Sequence, residues 1–323
     1  MKTLTAQERH HFVDEGYLVV EDLVDVERYL EPMVDEYSAH LDRLARDLHA
    51  EGRLSSTYDD LPFGPRLTRV YAETETDWAQ YFDFSLPLKP DIRPDEPCFF
   101  STSVFEILRS PAALDVIECL IGPEIYSNPV QHVRLRPPER LMPETMDAPG
   151  VRQTPWHQDS SVVVPEADRT EIITVWIPIF DATEDNGCLR VVPRNHRQGL
   201  IEHCPTKHGM FLATANVDAD RAVPLPMRRG SALFMNRNTP HSSLPNNSSE
   251  VRWSMDLRYH ATGEHSGRPQ FPGFVARSRR DPDTELRDAE VWRRDWLDAR
   301  ARLASDPSLV GRFIREWDGT GCA

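Results

Sequence analysis

The 323 residues carry 52 acidic against 37 basic side chains, a net charge of −15, with 39% hydrophobic content and 27 prolines. That length is ample for a sizeable core, and the acidic balance argues against a nucleic-acid binder, which needs a basic surface to neutralise phosphate. No run approaches the roughly 18 apolar residues of a membrane span; the longest, 172–180, contains Thr174 and Pro178.

The opening MKTLTAQERHHF lacks the apolar stretch of a signal peptide. Cys98, Cys119, Cys188, Cys204 and Cys322 are odd in number without a CxxC pair, which predicts reduced thiols in a cytoplasmic protein. Thr5 and Glu8 have capping-box spacing at the start of a short helix over 4–15. Gly16 ends it and 17–20 reads as a strand. Leu30, Val34, Tyr37, Leu41, Leu44 and Leu48 then recur at helical steps and predict one long amphipathic helix.

Residues 51–100 are Pro-rich and poorly periodic, and read as loops with short helices. Ser110-Pro111 opens another helix that Gly122 stops. Short β-runs follow at 124–135, 151–157, 171–180, 187–192, 231–235 and 251–260, and a helix is expected over 285–303. Helices first and short strands later predict a mainly β fold, an antiparallel sandwich or barrel braced by helices. No linker or repeat divides the chain, so one domain over 1–323 is expected. Its helical part covers about 1–123, its β core about 124–262 and its C-terminal extension about 263–323.

Trp156-His157-Gln158-Asp159 is the segment that carries chemistry. On extended backbone, residues i and i+2 share a face, so His157 and Asp159 can bind one ion. A third ligand must come from elsewhere, and His241 follows a turn-rich run, Asn236 to Pro240. Two imidazoles and one carboxylate make the facial triad of non-haem Fe(II) oxygenases. His-x-Asp spacing alone also arises by chance, and such a pair is often a structural hydrogen bond. Eleven positions after His241 comes Arg252, at the head of a run that alternates strictly. Trp253, Met255, Leu257 and Tyr259 fall on one face; Arg252, Ser254, Asp256 and Arg258 fall on the other. That is either a surface strand or a polar wall inside a barrel mouth, where Arg252 could grip a carboxylate through two charge-assisted hydrogen bonds.

These motifs resemble the phytanoyl-CoA dioxygenase family, and the resemblance spans most of the chain. The segment Leu4-Thr5…Gly16-Tyr17-Leu18-Val19-Val20 is similar to the family's N-terminus, and Trp156 to Asp159 to its metal motif. Residues 186–199 are similar to its turn and strand, and His241-x-Ser243…Arg252 to its distal ligand and co-substrate arginine. The resemblance implies a double-stranded β-helix, or jelly roll. It implies Fe(II) on His157, Asp159 and His241, with 2-oxoglutarate and O2 as co-substrates. Arg252 and Ser243 then bind the distal carboxylate, while Gln158 and Trp176 line the co-substrate pocket; Trp176 is alternatively a core aromatic.

The implied reaction is oxidative decarboxylation of 2-oxoglutarate to succinate with hydroxylation of an aliphatic C–H bond in a small molecule. Asp159 stands where related halogenases have a small residue, which favours hydroxylation. The departure from the family is Arg194-Asn195 in place of Gly-Ser, expected to alter a turn at the surface. His196, His132, His203, His208 and His260 have no partner at ligand spacing and are expected to be structural or exposed. Gln131 and Arg134 are the candidate substrate contacts. The Pro-rich stretch 137–150 reads as a lid, and 270–277 is expected to close the other side. A non-oxidative zinc or manganese enzyme and a non-catalytic binding protein of the same shape are the alternatives, and Arg252 speaks against the first. No nucleic-acid or membrane partner is expected, and oligomeric state is not readable.

Overall fold

The computed structural model describes residues 2–207, 209–311, 315–317 and 322; His208 lies outside them. Helix α1 (Ala6–Glu15) starts on the expected capping box, with Thr5 accepting from the Glu8 amide and Glu8 accepting from the Thr5 amide. Among the described residues six further α-helices are α2 (Glu31–Ala50), α3 (Phe63–Thr74), α4 (Ala79–Phe82), α5 (Thr102–Leu108), α6 (Pro111–Ile121) and α7 (Ala289–Ser305). Within the stretch expected to hold loops and short helices, α3 is a regular helix of 12 residues; Leu67, Val70 and Tyr71 form its fully buried stripe.

The major sheet has seven antiparallel strands. These are β1 (Tyr17–Val20), β2 (Glu124–Ser127), β3 (His132–Arg136), β4 (Ile173–Pro178), β9 (Ala232–Asn236), β11 (Arg252–Ala261) and β12 (Phe274–Ser278). Their order is β1-β9-β4-β11-β2-β12, with β3 also beside β11. The minor sheet is β10 (His241–Ser243), β5 (Leu189–Val191) and β8 (Val223–Leu225), and β6 (His203–Thr206) pairs with β7 (Gly209–Leu212) as a hairpin. This is a jelly roll flanked by helices. The expected run 124–135 is two strands, interrupted at Asn128-Pro129, and 151–157 is not a strand. It meets the minor sheet through a bridge between His157 and His241 and through the Ser243 N–H, which donates to the Thr154 carbonyl at 3.1 Å.

Strand β11 organises both layers. Its apolar face meets the helices: the Tyr37 and Phe63 rings lie 4.9 and 4.8 Å from Trp253, and Tyr259 donates to the Leu108 carbonyl at 2.9 Å. Truncating so buried an aromatic costs about 3–5 kcal/mol. Its polar face is buried as well, with Arg252 2%, Ser254 0% and Arg258 4% exposed. A surface strand is therefore ruled out, and the polar face is an interior wall.

Several expectations are corrected. Cys204 and Cys322 form a disulfide, with Cα atoms 5.5 Å apart, and only Cys98, Cys119 and Cys188 are free. Their separation of 118 residues leaves no local pattern to read. The stretch 137–150 is no free lid. Met142 and Met146 are buried in the main core, and the Arg136 guanidinium donates to the Pro149 and Arg152 carbonyls. Residues 270–277 do not close the site; Phe271, Phe274 and Ala276 are buried in the core, and β12 pairs with β2 at the sheet edge. At the turn expected to be altered, Arg194 adopts φ 66°, the left-handed conformation a glycine takes readily, and its side chain bonds Glu15 at 2.6 Å. Among the described residues no helix is long and apolar enough to cross a membrane.

Candidate metal centre

The extended backbone of Gln158 (φ −119°, ψ 141°) puts His157 and Asp159 on one face. His157 and His241 are tied by reciprocal backbone hydrogen bonds, each N–H to the other's carbonyl at 3.0 Å. The three side chains each offer a ligand atom within 4.8 Å of the other two. The two imidazoles are oriented alike. Nδ1 of His157 donates to the Pro155 carbonyl and Nδ1 of His241 to the Thr239 carbonyl, both at 3.0 Å. Each ring therefore presents Nε2 as a lone-pair donor, the tautomer a metal requires. Burial, with His241 beside it, pulls His157 down to about 3 and keeps it neutral.

The carboxylate is held from behind. Thr174 on β4 and Arg258 on β11 are cross-strand partners, and they donate to Oδ2 and Oδ1 of Asp159 respectively. Burial alone would raise Asp159; Arg258 and the two histidines outweigh it and hold the group well below the usual carboxylate range. Arg258 also donates to the Val130 carbonyl at 2.8 Å. Sequence reading missed Arg258 and Thr174 as site residues, although Arg258 lies on the same strand face as Arg252.

Arg252 and Trp176 both line the small inner cavity beside the triad, about 30 Å³, together with Thr154, Thr174, Asp256 and Arg258. Arg252 donates to Ser254 Oγ at 2.6 Å and lies 5.8 Å from the Trp176 ring centre. Its buried Nε has no protein partner among the described residues, and burial pulls the guanidinium down to about 10. Arg134, Thr154 and His157 also line a neighbouring outer cavity of about 250 Å³. A separate cavity of about 560 Å³ near Arg9, Phe12 and Arg237 holds none of the triad.

Other expected site residues fall elsewhere. Gln158 alternates away from the triad, and its side chain bonds Gly199, Ile201 and Asn238. Gln131 is buried and bonds Ser127 and Asn128, away from these cavities. The Ser243 hydroxyl accepts the Thr154 amide at 2.8 Å, so Thr154 lines the cavity and Ser243 stands behind it. His203 accepts the Gln158 amide and His260 contacts Asn128, both structural roles. His196 is structural too, bonding the Val13 carbonyl. His132 has a partner in Asp83 at 2.6 Å.

A jelly roll with two imidazoles and a carboxylate converging on its inner face is the frame of the mononuclear non-haem oxygenases. Among solved structures the fold is similar to the non-haem monooxygenase ThoJ in its apo form. The TM-score is 0.59 at 17% identity, covering 93% of this chain and 98% of that one. It is also similar to EvdO2 from Micromonospora carbonacea var. aurantiaca, complexed with 2-oxoglutarate, with TM-score 0.52 at 21% identity over 82% and 94%. In sequence it is 24% identical over 267 residues to phytanoyl-CoA dioxygenase domain-containing protein 1 of Danio rerio, covering 78% of this chain and 88% of the relative. Residues 12–254 match the pattern described as Phytanoyl-CoA dioxygenase (PhyH). The chain belongs to the phytanoyl-CoA dioxygenase family, and as an enzyme it is an oxygenase.

Proposed function

We propose that this protein is an Fe(II)- and 2-oxoglutarate-dependent dioxygenase that hydroxylates an aliphatic C–H bond of a small molecule. The observation that carries the reading is Arg252: a buried guanidinium with an unpartnered Nε, beside three converging ligand atoms. A buried cation with no carboxylate in direct contact among the described residues, Asp256 acting on it only at longer range, costs stability unless a ligand supplies one. A dicarboxylate that reaches both the metal and Arg252 meets that need.

The residues fit the metal. His157 and His241 offer neutral Nε2 atoms, and Asp159 stays ionised beside Arg258. Bound Fe(II) with 2-oxoglutarate supplies O2 activation through oxidative decarboxylation. The chain's own residues orient and exclude. Arg252 anchors the distal carboxylate, with Ser254 fixing its fork and Trp176 walling it from solvent. Ser243 acts through Thr154, a residue that lines the same cavity and whose amide donates to the Ser243 hydroxyl. The test is succinate formation from 2-oxoglutarate: it should require Fe(II) and O2 and fall at least about tenfold in Arg252→Ala at 2-oxoglutarate levels near wild-type half-saturation. Unchanged turnover in that variant would refute the assignment. A cytoplasmic location does not follow, because the Cys204–Cys322 bond is unusual in a reducing compartment.

A further inference from the structure

The outer cavity, about 250 Å³ and bordered by His157, is lined by Arg134, Arg136 and Arg152 and by no acidic residue among the described residues. In a chain of net charge −15 this is a local reversal of sign. The three arginines are not equivalent. Arg136 is held by the polypeptide through both Nη atoms, which donate to the Pro149 and Arg152 carbonyls and to Thr154 Oγ1, while its buried Nε has no partner among the described residues. Arg134 is held by Nε alone, which donates to Asp256 Oδ2. Both of its Nη atoms lack a protein partner among the described residues, and its side chain is 39% exposed. Arg134 lines the inner cavity, the outer cavity and an adjoining cleft of about 440 Å³. Arg152 sits at the rim, 30% exposed and 3.8 Å from Glu139. The outer wall also has an apolar side of Val162, Met210 and Phe211, with the Phe211 ring edge-on to His157 at 6.1 Å, beside the neutral polar Gln153, Thr154 and Ser161.

A guanidinium fixed through Nε by a buried carboxylate presents its two-pronged edge without the entropy of a free side chain, and that edge matches an oxyanion. On the reading of the site as an oxygenase, we infer that the substrate is a small molecule with an apolar body and one oxyanion, a carboxylate or a phosphonate-type group. Arg134 reads the oxyanion, Arg152 assists at the rim, and the apolar body lies along Val162, Met210 and Phe211. The chamber is below the roughly 300–1,000 Å³ of sites for drug-sized ligands, which restricts the body to a compact one.

The test is isothermal titration of the full chain, saturated with 2-oxoglutarate under anaerobic Fe(II), with hexanoate, hexylphosphonate and hexanamide. The oxyanion probe of the right geometry should bind at least about tenfold more tightly than the amide, and which of the two wins separates carboxylate from phosphonate. In Arg134→Gln, measured with 2-oxoglutarate kept at saturation for that variant, the preference should collapse. Because that variant strips Asp256 of its partner, Arg134→Gln/Asp256→Asn and the rim variant Arg152→Gln are measured beside it; the first should abolish the preference and the second reduce it about threefold or more. Indistinguishable binding of all three probes to the wild type overturns the inference, as does a preference that survives in every variant. The same samples separate it from the activity on which it rests. A protein that forms no Fe(II)–2-oxoglutarate chelate yet prefers oxyanions sinks the proposed activity and leaves this site standing. One that forms the chelate and treats the probes alike does the reverse.

Discussion

Arg258 and Thr174 stand opposite each other on neighbouring strands, and between them they hold both oxygens of Asp159. The carboxylate is thereby aimed before any metal arrives, and its partners are as much a part of the site as the ligands. Thr174→Val removes one hydrogen bond at nearly constant volume. Fe(II) affinity in that variant should fall about 10–100-fold with the fold retained. Equilibrium dialysis checks this, and wild-type affinity would mean that the clamp does not orient the ligand.

The same geometry makes the ligand substitutions unequal. His157→Ala should abolish metal binding at modest cost, since among the described residues its ring hydrogen-bonds only the Pro155 carbonyl. Asp159→Ala leaves Arg258, 4% exposed, without its carboxylate, and should lose about 3–5 kcal/mol of stability as well. Urea unfolding of both variants tests the contrast; equal stability would show that the Arg258 pair contributes nothing.

The co-substrate anchor has its own signature. Arg252→Ala should weaken 2-oxoglutarate binding by about 2–5 kcal/mol while Fe(II) affinity stays near the wild-type value, because Arg252 touches no ligand side chain. Direct binding measurements of each component decide it, and unchanged 2-oxoglutarate affinity would remove Arg252 from the role.

Stability should depend on pH through His40. Its ring is stacked between Tyr81 and Phe99 at 4.1 and 3.9 Å, with Nε2–H donating to the Tyr81 carbonyl and Nδ1 accepting from Arg43. Burial pulls the group from 6.5 down to about 4. The folded value lies below the unfolded one, so the contribution is complete above pH 6.5 and is lost as pH falls toward 4. In full it amounts to roughly 3 kcal/mol. The stability gap between wild type and His40→Gln should therefore shrink between pH 7 and pH 5; a constant gap would exclude His40 as the source.

Much of this was legible in the sequence where one local pattern decides the structure. The Thr5–Glu8 cap, the α2 stripe and the alternation of β11 each have a short-range cause. Ligand spacing and Arg252 were legible through the family resemblance. What escaped depends on contacts between distant strands. Arg258 and Thr174 become partners of Asp159 only through the register of β11 against β4. Gln158 shares a motif with two ligands, yet strand alternation turns it the other way. The disulfide joins residues too far apart for any spacing rule.

Arg194 is a smaller case of the same kind. It occupies a left-handed backbone position, at φ 66°, and offsets the strain by its ion pair with Glu15. Arg194→Gly should be more stable than Arg194→Ala by about 1 kcal/mol. Thermal unfolding of the pair is the check, and the reverse order would show that the backbone there is not strained.

The most direct measurement is an anaerobic titration of the metal-free protein with Fe(II) and then 2-oxoglutarate, watched for the weak visible charge-transfer band of the chelate. The expected result is a band that saturates with 2-oxoglutarate in the wild type and is absent in His241→Ala. Bound Fe(II) with no band on adding 2-oxoglutarate would contradict the dioxygenase assignment.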